Sequence, residues 1–552
     1  MGLTERRIGL LFAIFLGLLM LAAGRTFWLG GVRAQSLQRA ATTQQVDEID
    51  VPAVRGAISD RNGIELAVSE PAADVAATPY LVKSPLRAAA GLAPLLGDSE
   101  SEVLTKLSER NGFVYLARNL PAAKVERIKK LKIDGLQFIP SGRRNYPRKA
   151  LAAQVLGGVG VDRNGQGGLE YRFDDVLRGS DGKRRIVKDA LGDPIVLQET
   201  KRAVAGKALE LTLDAQLQGK VEDVLAQVGA KWEPKGATAV VMDPRTSKVL
   251  ALANWPRVDA NNFGGAPAYA GQDRAVGFNY EPGSTFKSFT VAGALEDHVV
   301  RPNEYFHLPP TITVADRTIE EAHDRGTVDL TTSEILAQSS NVGTVRIGQR
   351  VGPTRFDQWV RRFGFGRPTG IELPGEERGQ VLSRAQYSGS SMGNLPIGQG
   401  ESVTPMQLTT AYAAIADGGI LRRPRIVERI GRRPTPEPVG RRVISASTAA
   451  QLRTMLSGVV AVGGTAAASA IAGYTLAGKT GTANKIESST GEYSKTRYIG
   501  SFVGFAPARR PKLLVTVVVD EPKGQIYGAE VAAPAFAEIM RFALPYLRIA
   551  PG

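Results

Sequence analysis

A chain of 552 residues with a formal net charge of +15 is long enough for more than one domain, each with its own core. It has no cysteine, which excludes a disulfide framework, Cys-ligated zinc and thiol catalysis; its three histidines lack ligand spacing, so neither metal nor cofactor is expected. The basic excess suits an anionic membrane or wall polymer, and without a compact basic stripe or interleaved aromatics nucleic acid is not an expected partner.

Ile8 to Gly24 is uncharged and strongly apolar, with Arg6 and Arg7 before it. Apolar character resumes at Phe27-Trp28-Leu29 and reaches Val32, with Arg25 turning its head outward. The run exceeds the about 7–15 residues of a signal-peptide core, so residues 1–33 read as a tail and an uncleaved transmembrane anchor. The leading arginines predict a cytoplasmic N-terminus, with the chain from Ala34 onward outside. Ala34 to Val51, polar and Gln-rich, reads as a helix or stalk. Val54 to Ala67 reads as two short strands around Asn62-Gly63, and Pro79 to Leu136 as helical. The stretch as far as Glu170 shows no nucleophile–base pair and no metal spacing, and residues 34–205 read as an α+β spacer or docking module.

The character changes near Gly206. Ala208 to Leu213 is strand-like and Ala215 to Gln227 an amphipathic helix. Two hairpins are predicted, one turning at Asp243–Lys248 and one at Ala506–Pro511. Helical sequence lies between them, and Ala533 to Leu544 reads as a helix stopping before Pro545. Residues 206–552 thus predict an antiparallel sheet carrying helices on its faces. Arg422 to Arg442, rich in arginine and proline, reads as an exposed loop.

Within that domain Glu281-Pro282-Gly283-Ser284-Thr285-Phe286-Lys287 leads into an apolar helix, with Lys287 one turn beyond the Ser284 hydroxyl. A dry setting and the helix dipole both disfavour the ammonium, so the amine can act as a base. A second Ser-x-x-Lys at Ser180–Lys183 has no apolar helix behind it and reads as a solvated loop. Ser339-Ser340-Asn341 can set a hydroxyl and an amide beside the nucleophile. Lys479-Thr480-Gly481-Thr482 follows a strand-like stretch, its glycine allowing a substrate strand close to the backbone. The three motifs in this order form the signature of penicillin-binding proteins and class A β-lactamases.

On these residues the chain resembles a class B penicillin-binding protein over nearly its whole length. Arg55-Gly56, Asp60 to Gly63, Arg144 to Pro147 and Gly168-Leu169-Glu170 resemble that family's pedestal. Ile397 to Gly400, Thr404 to Leu408 and Ala411-Tyr412-Ala413 resemble its transpeptidase domain. Thr482-Ala483 after Lys479-Thr480-Gly481 is more similar to the division-type (FtsI-like) branch than to the elongation branch. The resemblance implies an α+β fold: anchor, pedestal and penicillin-binding transpeptidase domain. It implies a peptidoglycan D,D-transpeptidase acting on stem peptides, at the septum, and acylated by β-lactams. Ser284 would be the nucleophile, Lys287 its base, Ser339 a proton relay, Asn341 a holder of the substrate amide and Lys479 a positive charge that keeps Lys287 neutral. The backbone N–H groups of Ser284 and Thr482 would form the oxyanion hole, with Thr480 or Thr482 on the substrate carboxylate. The implied partners are a SEDS-type glycosyltransferase and divisome proteins, docked by the span and by pedestal positions such as Arg55 and Glu170.

Three rivals are weaker. Gly389-Ser390-Ser391-Met392-Gly393 matches a hydrolase elbow, but all three histidines precede it and no apolar strand leads in, so it reads as a flexible glycine-serine loop. A β-lactam-sensing receptor would need several spans. A β-lactamase-like hydrolase would need a glutamate at the site; Glu372, Glu376 and Glu377 read instead as solvent-facing, with Ile371 and Leu373 packed inward.

Overall fold

Leu513–Asp520 reads Leu-Leu-Val-Thr-Val-Val-Val-Asp and has no exposed residue, the pattern of a strand covered on both faces. In the computed structural model, which describes residues 3–33, 46–109, 112–188, 194–487 and 490–551, it is the middle strand of a five-stranded sheet. The order is Lys248–Trp255, Gly236–Asp243, Leu513–Asp520, Tyr493–Ala506, Ala477–Ile486, antiparallel throughout. Both expected hairpins are present. Side chains alternate between two cores: Leu513, Val515, Val517 and Val519 enter one, Leu514 and Val518 the other.

Helices Ala215–Trp232 and Ala533–Tyr546 cover the first face through Leu217, Val221, Phe536 and Ile539. The expected stop before Pro545 does not occur. Pro545 lies in the last turn, where it removes one backbone donor, and Tyr546 holds that turn by stacking on Phe542 at 5.3 Å and donating to Asp214 at 2.9 Å. The second face carries helices Lys287–Glu296 and Pro405–Ala416, the latter tied to the sheet by Thr409 Oγ1 to Thr516 Oγ1 at 2.8 Å. Every residue from Lys287 to Leu295 is buried, and Phe286 and Phe289 pack against Phe363, Phe365 and Tyr412 with ring centroids 4.9–5.2 Å apart.

Three loop readings are corrected. Within Arg422 to Arg442, Val427–Ile430 is a strand paired with Leu209–Leu211, and Arg425 is buried; the apolar pair Ile426-Val427 draws it inward despite the flanking charge. The Gly389 to Gly393 stretch runs into the short helix Ser391–Asn394. The second Ser-x-x-Lys opens strand Gly182–Lys188, and its Asp181 accepts from Ala53 N at 2.8 Å.

Contacts divide the chain into two units that cut across the expected boundary at 205/206. The first holds residues 1–54, 72–142 and 179–206. It contains the apolar helix Leu3–Phe27, continued by Trp28–Val32, with the span Arg6–Val32 unburied along its length. Of the expected stalk, residues 34–45 lie outside the described residues, and Val46–Val51 is a strand paired with Gly182–Lys188. The stretch read as helical holds helices Pro85–Leu96, Glu100–Ser108 and Ala122–Lys129. It also holds strand Val114–Pro121, which has no clean alternation to signal it and pairs with Ala72–Ala77 through a register broken by bulges. Val75, Leu92, Val103, Leu116 and Ile128 form the core there.

The second unit joins Arg55–Pro71 and Arg143–Arg178 to Lys207–Gly552. The expected Asn62-Gly63 turn is present, with Asp60 Oδ1 accepting from Asn62 N and Ile64 N at 2.8 Å. Glu170, fully buried, accepts from Arg55 Nε and Arg144 Nε, each at 2.6 Å. Arg55 and Glu170 are therefore interior ion-pair partners rather than surface docking residues.

Candidate active site

Pro282 and Gly283 turn the chain into a single 3-10 turn, Gly283–Phe286, from which Lys287–Glu296 continues as α-helix. Gly283 has φ +53, and a Cβ there would lie 2.7 Å from Thr482 O. At Gly481 a Cβ would meet Ser501 Oγ at 2.4 Å, Thr285 Cγ2 at 2.8 Å and Pro282 O at 2.9 Å. The close approach that requires Gly481 is thus made by the serine's own turn, a correction to the expectation of a substrate strand. Two glycines let the first and third motifs interlock.

Ser284 is half-buried and lines a cavity of about 600 Å³ together with Ser339, Asn341, Thr480 and Thr482. Lys287 and Lys479 are fully buried. Lys287 Nζ donates to Ser339 O and to Asn341 Oδ1, both at 2.6 Å, and lies 3.3 Å from Ser339 Oγ. Ser339 sits between helices Thr332–Ala337 and Asn341–Val351 with φ +61, a strained conformation that turns its carbonyl to the lysine. Asn341 is oriented at its other end by Nδ2 donating to Glu320 O at 2.7 Å. Thr480 Oγ1 lies 3.0 Å from Thr465 Oγ1, and Thr482 Oγ1 accepts from Gly528 N at 3.1 Å. Lys479 Nζ bonds Thr480 O at 3.2 Å.

Burial pulls the Lys287 amine down to about 7, with the nearby Glu321 charge opposing and Arg325 assisting. Lys479 is lowered well below the usual lysine range by burial and then by Lys287. Burial is the leading cause for both amines, and two like charges in one dry site disfavour each other.

Sequence reasoning missed several supports. Glu321 accepts from Ser340 Oγ and from Asn341 N at 2.8 Å, holding the second motif in place. Nothing in the pair Glu320-Glu321 signals this. Tyr412 OH donates to Thr285 O at 2.7 Å and faces Ser288 Oγ at 2.7 Å, which gives Ala411-Tyr412-Ala413 its physical task. Glu281, just ahead of the serine turn, accepts from Gly400 N at 2.9 Å and Tyr493 OH at 3.1 Å, and burial raises it to about 7. Glu401, 3% exposed, is raised by burial and by Glu281, and its Oε1 has no partner.

Glu372 is not solvent-facing: its Oε2 accepts from Ile426 N at 2.9 Å, while Ile371 and Leu373 pack inward as expected. It does not line the cavity.

A half-buried hydroxyl, an amine titrating near neutrality and a cleft walled by hydroxyls and an amide are the parts of acyl transfer through a serine ester. The chain belongs to the penicillin-binding proteins: residues 237–541 match the penicillin binding protein transpeptidase domain and 50–211 the penicillin-binding protein dimerisation domain. It is 35% identical to penicillin-binding protein PbpB of Mycolicibacterium smegmatis over 96% of this chain and 88% of that one. It is 32% identical to peptidoglycan D,D-transpeptidase FtsI of Escherichia coli over 98% and 92%. The crystal structure of penicillin binding protein 3 from Mycobacterium tuberculosis complexed with aztreonam superposes with a TM-score of 0.73 at 32% identity, covering 91% of this chain and 98% of that one.

Proposed function

We propose that this protein is a serine acyl-enzyme D,D-transpeptidase that cross-links peptidoglycan stem peptides at the division septum and is acylated by β-lactams. The observation that carries the reading is the Lys287 amine. It is buried, lowered to about 7, and donates to two carbonyl-type oxygens. A neutral amine has two N–H donors and one lone pair. With both donors engaged, the lone pair is left for the Ser284 proton one helical turn away. Ser284 Oγ then attacks the donor carbonyl, the N–H groups of Ser284 and Thr482 receive the oxyanion, and Ser339 passes a proton to the leaving amine. Thr480 and Thr482 take the substrate carboxylate, with Gly481 setting their strand against the serine turn. An amine acceptor then displaces Ser284 from the ester.

The apolar N-terminal helix is a single-pass anchor. In this reading the tail is cytoplasmic, residues 34–205 form the pedestal and 206–552 the transpeptidase domain outside, docked to a SEDS-type glycosyltransferase and divisome partners. The test is covalent labelling of the full chain with a fluorescent penicillin. Ser284→Ala removes a half-buried hydroxyl and should abolish labelling while thermal unfolding stays cooperative; labelling that persists in a folded variant overturns the assignment.

A further inference from the structure

An acyl-enzyme that transfers to an amine has a second substrate to recognise, and near neutral pH a free alkylamine arrives as a cation. Among the residues lining the catalytic cavity Glu530 is the sole carboxylate. It is exposed, and its side chain has no hydrogen bond or ion pair among the described residues. Its backbone is held nonetheless. Glu530 N donates to Tyr527 O at 2.9 Å, and Gly528 N donates to Thr482 Oγ1 of the third motif at 3.1 Å. A Cβ at Gly528 would lie 2.2 Å from Gly481 O, so this turn is pressed against the catalytic strand. The neighbouring Tyr527 ring meets His323, another cavity residue, at 5.5 Å. A free carboxylate is thus carried on a fixed turn at the wall of the cleft, while both site lysines are buried.

We propose that Glu530 recognises the ammonium group of the amine acceptor and holds it in the cleft. That group loses one proton to solvent, the free amine attacks the Ser284 ester carbonyl, and Lys287 takes its second proton and returns it to Ser284 Oγ as the ester bond breaks. This rests on the transpeptidase reading above. It makes Glu530 a specificity residue for the second substrate, outside the proton transfers of the first step.

The full-length protein in detergent is given an acyl thioester donor and a peptide acceptor bearing a lysine side-chain amine. Aminolysis and hydrolysis products are both measured, and Ser284 acylation by a fluorescent penicillin is followed separately. Glu530→Gln should lower the ratio of the aminolysis kcat/KM for acceptor to the acylation rate constant on the order of fivefold, mainly through KM. Glu530→Lys should lower it further. Added salt should weaken transfer by the wild type and leave Glu530→Gln nearly insensitive. A ratio unchanged in both variants overturns the proposal. A parallel fall in acylation and transfer also overturns it, since that marks a structural role. A fall in thioester acylation alone assigns Glu530 to the donor peptide instead, and likewise overturns it. If the wild type is not acylated by penicillin at Ser284, the transpeptidase reading itself fails, an outcome distinct from these.

Discussion

Lys287 Nζ donates to the main-chain carbonyl of Ser339 at 2.6 Å, so the base of the first motif is oriented by the strained backbone of the second. Removing the amine leaves that carbonyl and Asn341 Oδ1 without their donor. Lys287→Ala should slow penicillin acylation by at least about 10²-fold, the usual scale of a lost general base. The wild-type rate should rise with pH through about 7, because the amine accepts a proton only when neutral and its lowered value sits there. Stopped-flow acylation between pH 5.5 and 9 reads both.

Glu281 is raised to about 7 by burial, against an ordinary value of 4.5. The folded protein therefore holds this proton more tightly than the unfolded chain. The resulting stabilisation is complete below about 4.5 and is lost as pH rises through about 7. Glu281→Gln keeps an acceptor for Gly400 N and Tyr493 OH and does not titrate. Its melting temperature should gain on the wild type as pH rises from 5 to 8, while the midpoint of acylation near 7 stays, since that belongs to Lys287. A midpoint that vanishes with Glu281 reassigns it.

Gly481→Ala should lower acylation at least about tenfold and cost about 1–3 kcal/mol of stability, as overpacked positions do. The added carbon meets Thr285 and the Pro282 carbonyl, so the serine turn itself must shift. Acylation kinetics with chemical denaturation check it; unchanged kinetics would mean that the interlock of the two motifs is loose.

Glu372→Ala should cost about 1 kcal/mol, the worth of its bond to Ile426 N, and leave the lifetime of the penicilloyl adduct unchanged. The adduct should outlast minutes by intact-protein mass. Rapid turnover that depends on Glu372 would make the chain a hydrolase of the β-lactamase kind.

Local patterns were the legible part of this sequence. The hairpins at Asp243–Lys248 and Ala506–Pro511 and the buried serine helix follow from short-range signals, whereas the gathering of Ser284, Ser339, Asn341, Thr480 and Thr482 around one cavity was implied only by the family resemblance of the three ordered motifs. What stayed hidden depends on contacts remote in sequence. Glu170 reads as a surface acid until Arg55 and Arg144 are brought to it, and Gly481 gives no hint that its neighbour is Thr285. Glu372 fails for the same reason, its partner being a backbone donor of Ile426. The strand at Val427–Ile430 was masked by charge, because arginines flank it on both sides while its pairing partner Leu209–Leu211 supplies the apolar cover.

The division of the chain into interleaved units has a consequence for its birth. Strand Ile58–Ser59 pairs with Leu209–Leu211, and Arg55 pairs with Glu170, whereas the core containing Val75, Leu92 and Ile128 is built from the stretch between. A polypeptide emerging N-terminus first can close that intervening core early, because its partners are near in sequence. The Arg55–Pro71 segment must wait, its guanidinium unneutralised until Glu170 has followed and its strand edge open until Leu209–Leu211 has. Emergence is therefore the period in which this chain is most exposed to proteolysis and misassociation, and the segment that waits longest lies just beyond the membrane anchor.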